Sequence, residues 1–196
     1  MEKGLNPGNS LWFWGAGTKP SLDPFEEKFH KKGAMISAVD LLKGIAVGTS
    51  MKNIYVEGAN GGLDTNYEGK ADAALKALLE DGCDFVYVHV EAPDEMGHQG
   101  SIEKKIKAIE YLDQRVVARI KEGMDASGED YRMLVLPDHP TPICVKTHTS
   151  DPVPYVLYDS RNKDHKEGVC YSEAEAGKTG KLLEKGHELI RYLLEE

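Results

Sequence analysis

A chain of 196 residues, 40% hydrophobic and 29% charged, is long enough for one domain with its own core or for half of a larger two-domain enzyme. Its formal net charge of −9 argues against a nonspecific nucleic-acid binder, which needs a basic face, and no apolar run approaches the ~20 residues of a membrane-spanning helix. The start MEKGLNPGNS lacks the basic-then-apolar layout of a signal peptide, and the three cysteines, Cys83, Cys144 and Cys170, form no disulfide framework, so a soluble cytoplasmic protein is expected.

Residues 1–34 are rich in Gly, Pro and aromatic residues and show neither a helical nor a strand period. ISAVDLLKGIAV, with Ile36, Val39, Leu42 and Ile45 at helical spacing, predicts a helix, and NIYVEG a short strand. ADAALKALLED reads as a helix ended by Gly82. DFVYVHVEAP reads as a strand in which Phe85, Tyr87 and His89 alternate with Val86, Val88 and Val90. SIEKKIKAIEYLDQRVVARIKEGM carries Ile102, Ile106, Ile109, Leu112, Val116 and Ile120 at three- and four-residue steps, the pattern of a long amphipathic helix. RMLVLPD and PVPYVLYD are apolar strands, and LLEKGHELIRYLLEE closes the chain as a helix. Strands alternating with helices imply an α/β fold, a mostly parallel sheet flanked by helices on both faces, with ligands gathered at the carboxyl ends of the strands.

Two strand exits carry the chemistry. DFVYVHVEAP runs into DEMGH, where Asp94 and His98 stand four apart and share one side of a helical turn. RMLVLP runs into DHPTPICVKTHTS, where prolines rule out a helix and leave Asp138, His139 and His148 on a stiff loop. Carboxylate oxygen with neutral imidazole suits Zn²⁺ or Mn²⁺ and suits Ca²⁺ poorly. Taken singly, each residue has a bland reading: Asp94 a helix cap, His98 a surface side chain, Asp138–His139 a polar turn, His148 a solvated loop residue. Five potential ligands at two exits together point to a two-metal hydrolase or transferase site.

Other stretches carry less. AGKTGK at 176–181 lacks the first glycine of a phosphate-binding loop and no strand leads into it; WGAG, with Gly15 and Gly17, is a lone G-x-G. His89 lies within a strand pattern, where a buried, hydrogen-bonded imidazole is expected, and Cys144 reads as a small buried residue.

HVEAPDEMGHQG followed by LVLPDHPTPICVKTHTSDPVPYVLYD resembles the metal-binding C-terminal half of the cofactor-independent phosphoglycerate mutases, in particular the archaeal-type group, within the alkaline phosphatase superfamily. NSLWFWGAGTKPSL and KGAMISAVDLLKGIAV extend the resemblance over nearly the whole chain. It implies an alkaline phosphatase-like fold incomplete at its N-terminal side, with residues 1–34 a return segment from a missing inserted domain and 35–196 the C-terminal part of the metal-binding domain. By the same resemblance Asp94, His98 and His148 would hold one divalent ion and Asp138 with His139 would contribute to a second. The ions would be Mn, Zn, Co or Mg, and no 2,3-bisphosphoglycerate would be needed. Lys19 has two readings: a contact to a substrate carboxylate or phosphate, from the place of this loop in the family, or a solvated lysine before a proline.

The family completes its second metal with an aspartate at the end of the first strand and with a serine nucleophile, and no such pair precedes the matched region here. No catalytic residue is therefore assigned, the isolated chain is expected to be inactive, and its expected partner is the missing N-terminal segment. Of the serines nearby, Ser37 and Ser50, Ser37 reads as a capping or packing residue. The activity implied is interconversion of 2- and 3-phosphoglycerate by phosphoryl transfer through that serine. A phosphatase, phosphodiesterase or phosphonate hydrolase with the same metals, or a noncatalytic metal-binding module, are the other readings.

Overall fold

Strand β1 (Gly33–Ile36) is buried along its whole length and lies between β2 (Lys52–Ile54) and β3 (Phe85–Val88), parallel to both. Met35 is in register with Asn53 on one side and Tyr87 on the other. These relations come from a computed structural model that describes residues 8–11, 13, 16–162 and 169–194; Gly15 of the WGAG stretch lies outside them.

Burial on both faces explains why β1 was not legible as a strand. A strand covered on both sides shows a continuous apolar run instead of an alternation, so Ile36 belongs to β1 and not to the expected helix. Helix α2 begins later, at Asp40–Gly48. Ser37 stands between them, buried, with its Oγ accepting the Val39 N–H at 3.0 Å in the turn that joins strand to helix. The segment before β1, which shows no period, holds a short helix, α1 (Phe25–Phe29), whose buried Phe25 stacks on Phe85 with ring centroids 5.0 Å apart.

Helices cover both faces of the sheet. Met35, Phe85 and Tyr87 meet Phe25 of α1, Leu42 and Ala46 of α2, and Ile190 and Leu194 of α8 (Leu189–Leu194). Ile36, Val86 and Val88, on the other pleat, meet Ala73 and Ala74 of α3 (Tyr67–Leu79) and Ile120 of α6 (Ala118–Ser127). The alternation of DFVYV is thus a division between two cores.

The long helix runs as α5 (Ile102–Leu112), a π-helical turn (Asp113–Val117) and α6. Its expected apolar face is only half right. Val116 is buried and Ile120 packs inward, but Ile102, Ile106 and Ile109 are 64%, 53% and 50% exposed. α5 instead turns Ala108 toward Ala92 and Met96 of α4 (Ala92–His98), and the wider π turn offsets the stripe between its two halves.

Strands β4 (Arg132–Val135) and β5 (Val156–Asp159) form a second, antiparallel pair, with Arg132 Nε donating to Asp159 Oδ2 at 2.8 Å across the end register. AGKTGK is the end of α7 (Glu173–Lys178) and the turn after it; Ser172 caps that helix through the Glu175 N–H. No strand feeds it among the described residues.

Candidate metal centre

Helix α4 starts as β3 ends, and its first turn contains Pro93, whose missing N–H costs nothing there. The carbonyl of Glu91 accepts the N–H groups of Asp94 and Glu95 at 2.9 and 3.1 Å, so Glu91 occupies the cap position. Asp94 is therefore inside the helix and not its cap. One turn later His98 ends α4, which puts both side chains on one face, as their spacing predicts.

The proline loop folds back on this face. Val145 and Lys146 donate to the Pro142 carbonyl at 3.0 and 2.8 Å, and Thr149 donates to the Pro140 carbonyl at 3.1 Å. Lys146 adopts a left-handed φ of 58°, and its carbonyl lies 3.0 Å from His98 Nδ1. His148 arrives opposite His98.

Three distances define the resulting cluster. His98 Nε2 is 3.2 Å from Asp94 Oδ2 and 3.2 Å from His148 Nε2, and His148 Nε2 is 3.4 Å from Asp94 Oδ1. A tetrahedral ion with ligand bonds of about 2.0–2.2 Å separates its ligand atoms by about 3.3–3.6 Å, so the three residues fit one metal ion. Proton bookkeeping agrees. The Lys146 carbonyl can only accept, so His98 Nδ1 carries the hydrogen and a neutral ring turns its Nε2 lone pair toward Asp94 and His148. That carbonyl is also the main reason the His98 pKa lies above the ordinary imidazole value.

Asp138 and His139 sit beside this triad. His139 packs against His148 with ring centroids 3.7 Å apart and the rings tilted by 32°, and its Nε2 is 3.4 Å from Asp138 Oδ2. All five expected ligands are thus contiguous, though among the described residues only Asp94, His98 and His148 bring three ligand atoms within 4.8 Å of one another. Lys19 is exposed, and no hydrogen bond or ion pair among the described residues joins it to them. Cys144 is exposed, which corrects its reading as buried.

Burial, with Glu95 and Asp94 close by, raises the Glu91 pKa, and burial lowers that of His89. His89 follows β3, with Nδ1 3.4 Å from Ser37 Oγ and its carbonyl accepting from the fully buried Lys70 ammonium at 3.0 Å. Its reading as a buried, hydrogen-bonded imidazole within a strand is met in part: the ring has a polar partner, but it is half-buried and stands just past the strand. Two contributors were missed in the sequence: the Lys146 carbonyl, because a backbone group leaves no residue-type signal, and Thr141, a buried hydroxyl that donates to Asp94 Oδ1.

The sequence pattern of the metalloenzyme superfamily matches residues 1–194. The chain belongs to that superfamily. Within it, the chain is 52% identical over 194 residues to a 2,3-bisphosphoglycerate-independent phosphoglycerate mutase of Methanosarcina barkeri, covering 99% of this chain and 48% of that relative. It is 49% identical to a probable 2,3-bisphosphoglycerate-independent phosphoglycerate mutase of Geobacter sulfurreducens, again over 48% of the relative. The chain spans about half the length of these relatives. A solved protein of Pyrococcus horikoshii superposes with a TM-score of 0.72 at 29% identity, covering 87% of this chain and 50% of that one. A cofactor-independent phosphoglycerate mutase of Thermoplasma acidophilum superposes at 0.59 with 23% identity, over 89% of this chain and 39% of that one, and shows the shared fold. The superfamily member is thus an alkaline phosphatase-like α/β domain covering part of its relatives. Membership and the Asp94–His98–His148 triad together support the use of a divalent metal.

Proposed function

We propose that this chain is the metal-holding part of a 2,3-bisphosphoglycerate-independent phosphoglycerate mutase that interconverts 2- and 3-phosphoglycerate in the cytoplasm. The observation that carries the reading is the closure of Asp94, His98 and His148 to ligand distance in a chain half identical to such mutases. Asp94, His98 and His148 hold one divalent ion, and Asp138 and His139 supply part of a second site; manganese, zinc or cobalt suits the mixed carboxylate–imidazole set. Bound ions would neutralise phosphate oxygens and lower the pKa of a hydroxyl nucleophile.

The chain's own residues do the positioning. His98 is held by the Lys146 carbonyl with its Nε2 facing inward, and the exposed His148 and Asp138 leave the cluster open to a phosphorylated substrate from solvent. Residues 1–34 are read as the return from an inserted domain and 35–196 as the metal-binding part. Of the two nearest serines, Ser37 is buried in a structural hydrogen bond and Ser50 is exposed at a left-handed φ of 58°. We assign the nucleophile to neither.

The test is a fusion of this chain behind the N-terminal half of the Methanosarcina barkeri relative, assayed with Mn²⁺ and without added bisphosphoglycerate. The fusion is expected to convert 3- to 2-phosphoglycerate and the chain alone to be silent. A folded, metal-loaded fusion that only releases phosphate would replace the mutase by a phosphatase.

A further inference from the structure

We propose that Thr141 is a positioning residue that sets the proton on His139 and selects the free oxygen of Asp94, so that one hydroxyl prepares both halves of the metal centre. The inference rests on the metal-binding reading above and extends it to a residue outside the ligand set.

Thr141 is 4% exposed, so its hydroxyl must find partners inside the protein. It lies between two of them: Oγ1 contacts Asp94 Oδ1, and His139 Nδ1 is 3.3 Å away. An ionised carboxylate only accepts, so the single hydroxyl hydrogen goes to Asp94. Toward His139 the oxygen can then only accept, and Nδ1 must carry the hydrogen. The direction of the chain is fixed: His139 Nδ1–H to Thr141 Oγ1–H to Asp94 Oδ1.

Two consequences follow at the ligand atoms. His139 is left with a lone pair on Nε2, 3.4 Å from Asp138 Oδ2, a pairing of two acceptors that a cation between them would satisfy. Asp94 Oδ1, 3.4 Å from His148 Nε2, also takes the Thr141 hydrogen, while Oδ2, beside His98 Nε2 at 3.2 Å, takes none from Thr141. His98 obeys the same rule with a different partner, its Nδ1 facing the Lys146 carbonyl. Both rings thus have Nδ1 tied to an acceptor and Nε2 turned to a carboxylate, the arrangement by which neighbours orient ligating histidines.

Thr141 is itself gripped from two helices. Lys105 of α5 donates to its carbonyl at 2.6 Å, and α4 approaches through Gly97, where an added Cβ would lie 2.5 Å from that carbonyl oxygen. The hydroxyl is held where both the ring and the carboxylate need it.

The test compares the chain with Thr141→Val, which keeps the shape and removes the hydroxyl, and Thr141→Ser, which keeps the hydroxyl. Long-range proton–nitrogen NMR of the metal-free protein at pH 8.5 reads the His139 tautomer, and a Co²⁺ titration followed by visible absorption reads affinity and geometry. The wild type and the Ser variant are expected to hold His139 as the Nδ1–H form. The Val variant is expected to revert to the Nε2–H form and to lose at least about tenfold in Co²⁺ affinity. Should valine disturb the fold, as judged by circular dichroism, Thr141→Ala makes the same deletion without a new methyl group. Wild-type Co²⁺ binding with an unchanged Val or Ala variant overturns the role of Thr141 alone. A wild type that binds no Co²⁺ overturns the metal reading beneath it.

Discussion

The carbonyl oxygen of Lys146 lies 3.0 Å from Nδ1 of His98, and that contact decides which imidazole nitrogen faces Asp94 and His148. It exists because Lys146 takes a φ of 58°, a backbone conformation that glycine adopts freely and proline cannot. Proline would also remove the Lys146 N–H that donates to Pro142 at 2.8 Å. Lys146→Gly is therefore expected to keep metal affinity within a few-fold, and Lys146→Pro to lower it about 10- to 100-fold, the range seen when a ligand's orienting partner is lost. Chelator competition with Co²⁺ measures both.

Gly97 is the point of closest approach between α4 and the proline loop. A Cβ there would stand 2.5 Å from the Thr141 carbonyl oxygen and 3.0 Å from Lys105 Nζ, and the first of these is backbone that cannot rotate aside. Gly97→Ala should push α4 off the loop, costing about 1–3 kcal/mol of stability as an overpacked contact and separating Asp94 from His148. Urea denaturation gives the first effect and metal titration the second; a variant with wild-type values in both would show that the loop yields without consequence.

Asp94 and His98 were legible because helical period turns a four-residue spacing into one shared face. The convergence of the second loop on them was legible because both stretches leave apolar strands. Less was visible where burial erased the period. β1 goes unread, with only its last residue, Ile36, assigned to a helix, because both its faces are covered, and Ile102, Ile106 and Ile109 read as core although they face solvent. The antiparallel pairing of β4 with β5 depends on where a loop of some twenty residues returns, which no local pattern records. Thr141 and Lys70 act through contacts with groups distant in sequence, and a lone hydroxyl or lysine has no signature of its own.

Metal binding should appear as stability. An ion that binds only the folded chain stabilises it by mass action, about 2.7 kcal/mol at a free concentration one hundred times its Kd. Mn²⁺ or Co²⁺ is expected to raise the unfolding temperature of the wild type, and His148→Ala, which removes one corner of the triad, to abolish most of that rise while leaving the metal-free transition nearly unchanged, since His148 is exposed. A full metal-induced rise in the variant, followed by calorimetry, would remove His148 from the ligand set.

Lys70 provides a pH signature independent of metal. Its ammonium is fully buried, and loss of water pushes its pKa down from 10.5 to about 8, against the opposing pull of Glu91. The folded state therefore releases this proton at lower pH than the unfolded state does. Between the two values the unfolded chain binds more protons, so stability rises with pH, by about 3 kcal/mol over the whole interval and about 1–2 kcal/mol between pH 8 and 9.5, where tyrosines are still protonated. Below pH 8 the penalty of the buried charge is fully present. Lys70→Met has no proton to lose, so its stability should lack this increment whatever its offset from wild type. Chemical denaturation of both proteins at pH 7.5, 8, 9 and 9.5 measures the difference, and parallel curves would mean that Lys70 keeps its charge in the fold, held by more than its hydrogen bond to the His89 carbonyl.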